Sequence, residues 1–167
     1  MTAAMKRDES RIVGRINGVG GRVYLHPGQY AAGDGLHTMT TILGSCIAVC
    51  LHDLVRRTGG LNHFLLPRAP KGEESARYGD LATRALIAAL EEQGSKRHHL
   101  QARVIGGACV LEAFPENEAS LGRANATIAL DVLADAGIPV VMYDVGGSRG
   151  RRVTYHPATG DVLVKTL

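Results

Sequence analysis

Tryptophan is absent from the 167 residues, phenylalanine occurs twice and tyrosine five times. So few rings disfavour a surface that stacks unpaired bases. Charge of one sign is scarce as well. The formal net charge is only +3, and no stretch gathers the basic residues into the stripe that a nucleic-acid duplex requires. Unbroken apolar runs of membrane-spanning length are missing, so direct membrane insertion is not expected. The first 20 residues are polar and Gly-rich and lack the apolar centre of a signal peptide. The cysteines, at 46, 50 and 109, make an odd set, which speaks against a disulfide framework and for thiols in a reducing cytoplasm.

What is present is an aliphatic core, 45% apolar and built mainly from Ala, Val, Ile and Leu, enough for one domain. Residues 1–21 mix charge and glycine without periodicity and read as a flexible arm, leaving 22–167 as a single domain. Strands are expected at 22–25, 36–43, 47–51, 61–66, 100–105, 139–143, 152–155 and 162–165, the last two forming a hairpin over Pro157–Gly160. Leu81, Ala82, Ala85, Leu86, Ala89 and Leu90 recur at helical spacing, with Asp80 placed to cap and Gly94 to stop. A second helix is expected over 123–136. Strands at both ends with two helices between, and no strict βαβ alternation, predict an α+β fold: a layered mixed sheet with both helices packed on one side.

Thr40-Thr41-Ile42-Leu43-Gly44-Ser45-Cys46-Ile47 carries the sharpest chemical signal. A cysteine after Gly-Ser, between two strands, can present its thiol at a strand end. The tight turn also leaves backbone N–H groups able to face an oxyanion. A buried thiol is equally an ordinary core residue. Cys50 and Cys109 read as packing. A thiol nucleophile needs a base, and there are seven histidines. His26 and His156 precede prolines, His98 and His99 follow a helix, and His52 reads as solvated beside Asp53. His63 alone lies within an apolar strand, Leu61-Asn62-His63-Phe64-Leu65-Leu66, that can pair back on 46–52 through the turn at 56–60. A buried structural histidine fits that placement too.

Leu43 to Cys50, Gly59 to Pro67, Arg77-Tyr78-Gly79, Val104 to Ala108 and Asp144 to Gly147 follow one another, with Arg152-Val153 and Thr159-Gly160 behind them. This order of motifs resembles the chemoreceptor glutamine deamidase family, CheD. The resemblance implies a fold similar to the cytotoxic necrotizing factor catalytic domain. It also implies a triad of Cys46 as nucleophile, His63 as base and Thr40 as the group that orients the imidazole. Thr38 and Thr41 stand close by, and the residues alone do not choose among them. Ser45 and Asn62 are the expected helpers at the oxyanion and substrate. The implied reaction converts receptor glutamine to glutamate through a thioester, with ammonia released and no metal or organic cofactor, and a methylesterase side activity is accessible to the same site. Implied partners are methyl-accepting chemotaxis receptors and a CheC-type phosphatase. A non-catalytic module acting on that phosphatase is the competing reading, and a cysteine peptidase a third. Three positions depart from the family pattern. Gly122-Arg123-Ala124-Asn125 shifts the usual Gly-x-Arg-Asn arginine, His52 replaces a common Arg, and Cys109-Val110 replaces a small residue and Met.

Overall fold

A computed structural model describes residues 20–33, 35–110 and 115–167, with side chains omitted for 115–119. The proposed arm over 1–21 falls almost wholly outside the described residues.

Two sheets and two helices form three layers. One sheet has four strands, in the order β1 (Arg22–Tyr24), β3 (Thr38–Leu43), β8 (Arg151–His156) and β9 (Asp161–Thr166). The other has five, in the order β2 (Tyr30–Gly33), β5 (Thr58–Asn62), β4 (Ile47–Asp53), β6 (Leu100–Gly106) and β7 (Val140–Val145). Pairings are antiparallel except β1 with β3 and β6 with β7. The parallel β6–β7 pair needs a crossover, which α2 (Pro115–Asp135) supplies. Helix α1 (Gly79–Glu92) packs beside α2 on the same face of the five-stranded sheet. This is the expected layered α+β arrangement with both helices on one side. No described helix is long and apolar enough to cross a membrane.

The five-stranded sheet is therefore the middle layer, and β4 at its centre is buried at all seven positions. Ile47, Val49 and Leu51 face the helices, packed with Leu86, Leu90, Val132 and Leu133. Ala48 and Cys50 face the other sheet, packed with Met39, Leu43, Val153 and Tyr155. In β3 the period-two pattern is plain: Met39, Thr41 and Leu43 point inward, and Thr38, Thr40 and Ile42 point outward.

Four local expectations are corrected. The strand over 61–66 ends at Asn62, because the N–H groups of Leu65 and Leu66 both turn to the Arg77 carbonyl, at 2.9 and 3.1 Å. Helix α2 begins at Pro115, where proline's fixed φ and missing N–H suit a first turn; its polar early residues and Gly122 hid those turns. Asp80 lies inside α1, whose N-cap is Tyr78, and its carboxylate accepts from the Ala69 and Leu81 N–H groups, each at 3.0 Å. His52 is buried, its Nδ1 donating to the Pro157 carbonyl at 2.8 Å.

Candidate active site

The Gly44-Ser45 turn carries the chain from the outer sheet to the middle one, so Cys46 stands at a corner where β4 has not yet begun. It is half-buried, whereas every residue from Ile47 to Asp53 is buried. The turn is gripped by the residues after β6. Gly107 N–H donates to the Cys46 carbonyl at 2.8 Å, and Ala108 N–H donates to the Gly44 carbonyl at 2.9 Å. Gly106 makes this grip possible. Its φ is +120°, and a Cβ there would collide with the Cys46 carbonyl.

His63 follows directly on the end of the neighbouring strand β5. Ile47 bridges Phe64 and Cys50 pairs with Leu61, which sets Ala48 opposite His63. Cys46 and His63 thus project from the same face of the sheet as diagonal neighbours, a separation of about 7–8 Å between backbones that long side chains can span. The imidazole is 2% exposed. Its main chain is anchored to a loop, His63 N–H donating to the Gln29 carbonyl at 3.0 Å and Gly28 N–H donating to the His63 carbonyl at 2.7 Å.

Hydrogen bonds around His63 fix its tautomer. Thr41 Oγ1 lies 2.7 Å from His63 Nδ1 and donates to the Leu25 carbonyl at 2.7 Å. A hydroxyl has one proton, and the Leu25 carbonyl can only accept it. Thr41 therefore accepts from Nδ1–H, and the ring's lone pair sits on Nε2. That nitrogen is buried and has no hydrogen-bond partner. Burial drives the imidazole down to about 4, against a weaker upward pull from the Leu25 carbonyl, so the ring is neutral near pH 7. A neutral ring with its Nδ1 proton held and its Nε2 unpartnered has the form of a proton acceptor.

Thr40 does not orient the imidazole. It lies on the outward face of β3, and its hydroxyl donates to the Val153 carbonyl at 2.8 Å. Thr41 is the threonine that lies against the ring, and strand parity carried that signal, since Thr41 shares the inward face with Met39 and Leu43. Asn62 is also corrected. Alternation puts it on the side of the sheet away from His63, fully buried, with Oδ1 accepting from Val49 N–H at 2.8 Å. Its amide stands in for a main-chain rung of the sheet and does not reach the thiol's side. Ser45 remains half-buried in the turn. Cys50 is fully buried, and burial pushes its thiol up to about 12, as a packing residue requires.

Two groups escaped sequence reasoning besides Thr41. Asn125 of α2 is fully buried and reaches the Gly-Ser-Cys turn, its Nδ2 donating to the Ser45 carbonyl at 3.2 Å and the Leu65 carbonyl at 2.9 Å. Arg151 pairs with Asp144 at 3.0 Å and also donates to the Gly106 carbonyl at 3.3 Å, bracing the turn that holds Cys46. Beyond that turn opens a cavity of about 250 Å³ lined by Gly107, Cys109, Arg123, Tyr143 and the 145–147 segment. Among the described residues, no three His, Cys, Asp or Glu side chains gather as a metal site would need.

Sequence comparison bears on this geometry. The family described as CheD chemotactic sensory transduction matches residues 65–166. The protein named "Probable chemoreceptor glutamine deamidase CheD 1" in Anaeromyxobacter dehalogenans is 47% identical, over 92% of this chain and 91% of that one. A "Probable chemoreceptor glutamine deamidase CheD" of Rhodospirillum rubrum is 43% identical over 86% and 81%. Among solved structures, Bacillus licheniformis YfiH, titled a hypothetical protein, aligns with TM-score 0.45 and 13% identity over 84% of this chain and 64% of that one. With a family match spanning more than half its length and relatives this similar over most of theirs, the chain belongs to the CheD family.

Proposed function

We propose that this protein deamidates glutamine side chains of chemoreceptors, with Cys46 as nucleophile, His63 as base and Thr41 as the group that holds the base. The observation that carries the reading is the His63 ring: buried, neutral, fixed by Thr41 at Nδ1, and unpartnered at Nε2 on the sheet face it shares with Cys46. His63 Nε2 takes the Cys46 proton as the thiolate attacks the glutamine carbonyl carbon. Backbone N–H groups of the 44–46 turn, with Ser45 beside them, hold the oxyanion. The imidazolium returns its proton to the departing ammonia. Water, deprotonated by the same Nε2, then cleaves the thioester to give glutamate and restore the thiol. A glutamyl methyl ester fits the same sequence, with methanol leaving in place of ammonia.

Family membership supports two finer assignments: action in the cytoplasm, and a CheC-type phosphatase as an additional partner. The test is to incubate the protein with a receptor cytoplasmic fragment and follow Gln-to-Glu conversion by mass spectrometry. Conversion by the unmutated chain and none by Cys46→Ala is the expected result. Conversion that survives Cys46→Ala rejects the mechanism. No conversion by the unmutated chain, together with saturable binding to a CheC-type phosphatase, moves the function to the non-catalytic module.

A further inference from the structure

Asn125 occupies an unusual position for a side chain deep in a helix interface. The β4–β5 ladder closes at Ile47 and Phe64, whose two main-chain bonds measure 3.1 and 3.0 Å. Past that rung the strands fork. One arm runs back through Cys46 to Ser45. The other runs on to Leu65 and Leu66, whose N–H groups have turned to the Arg77 carbonyl. The carbonyls of Ser45 and Leu65 are left facing the fork. Asn125 Nδ2 has two protons and donates to both. One amide thus closes the ladder at the point where main-chain bonding stops, between the residue before the nucleophile and the residue two beyond the base.

Two observations make this more than packing. Asn125 Oδ1 is buried with no hydrogen-bond partner. An apolar side chain would avoid that desolvation, so the amide is kept for what its N–H groups hold. Gly122, one turn earlier in α2, lies so close to the Gly107 carbonyl that a Cβ would overlap it. That contact lets the helix approach near enough for a short Asn side chain to enter the fork.

We infer that Asn125 is a positioning residue, a clamp that sets the distance and alignment between Cys46 Sγ and His63 Nε2 without touching substrate. The inference rests on the proposed cysteine–histidine chemistry, and its test separates the two. The unmutated protein and Asn125→Ala, Asn125→Gln and Asn125→Asp are compared for deamidation of a receptor fragment. Iodoacetamide alkylation of Cys46 is followed against pH by mass spectrometry of the Cys46 peptide, and thermal unfolding reports the folded fraction. Asn125→Ala is expected to lower kcat about 10- to 100-fold with KM nearly unchanged, the scale of a misplaced reacting pair. Its alkylation midpoint moves up toward that of an ordinary thiol, because Nε2 no longer takes the proton as readily. Asn125→Gln keeps both donors and recovers part of each effect, and it serves in place of Ala if Ala fails to fold. Asn125→Asp lacks the donors and recovers neither. Activity that merely tracks the folded fraction, with an unmoved midpoint, overturns the clamp. A midpoint shift in a family of variants whose parent shows no deamidation upholds the clamp and rejects glutamine as substrate.

Discussion

The two ends of β4 hold nearly the same parts. At one end Cys46 neighbours His63, whose Nδ1 is held by the Thr41 hydroxyl; at the other Cys50 stands two residues from His52, whose Nδ1 is held by the Pro157 carbonyl. Both histidines are buried, and burial lowers both. The cysteines project toward the same face of the sheet. The difference is strand termination. Cys50 is paired on both sides, to Leu61 and Arg103, and sealed between layers, so its thiol is pushed up to about 12. Cys46 lies one residue before the strand, where the chain changes sheets. Residue type supplies a thiol and an imidazole at both ends, and of these two thiols only the one at the corner is left partly open to solvent.

The largest test of that contrast is the pair of cysteine substitutions. Cys46→Ala should abolish conversion, by a factor on the order of 10⁴ or more. Cys50→Ala should leave kcat within about twofold and cost on the order of 1–2 kcal/mol in stability from the space it opens. Equal losses of activity would break the comparison.

Next in size is the threonine pair. Thr41→Val removes the acceptor for Nδ1–H, and kcat should fall about 10- to 100-fold, within the range that a positioned general base contributes. The fall is limited because the Leu25 carbonyl, 3.4 Å from Nδ1, can hold the same tautomer loosely. Thr40→Val should change kcat less than about twofold. A reversed order would return the orienting role to Thr40.

A separate test, read in stability, uses acid. The folded His63 value, about 4, lies below its ordinary 6.5, so between those values the unfolded chain binds more protons. Stability is complete above pH 6.5 and falls as pH drops toward 4, by an amount on the order of 3 kcal/mol for this group. Denaturant unfolding of the unmutated protein and His63→Gln across pH 4–7 isolates it, since His52 contributes with the same sign to both. Parallel curves would show that His63 is not buried neutral.

Much of this was legible from the sequence. The Gly-Ser-Cys turn and one histidine in an apolar stretch marked the two side chains that the structure sets on one sheet face, and hydrophobic period marked the layers. Parity in β3 held the choice of Thr41 over Thr40, because Met39 and Leu43 declare the inward face. Asn62 misled because a polar residue beside a presumed base looks catalytic, whereas it spends its carbonyl on a rung of the sheet. β2 was missed because Tyr-Ala-Ala-Gly carries little strand propensity and is recruited by β5. Asn125 stood at the end of the Gly122–Asn125 motif, but nothing local told what it bonds. Its partners lie 80 and 60 residues away, and only the docking of α2 brings them together.

That distance has a consequence for the newborn chain. Cys46, Thr41 and His63 leave the ribosome well before α2, so the thiol and the imidazole exist for a time without the helix that closes the fork between their strands. Pairings across such separations form late, after the loops between them have been closed. The fork is therefore closed only after the residues on both of its arms have been made, because its two long-range bonds wait for α2.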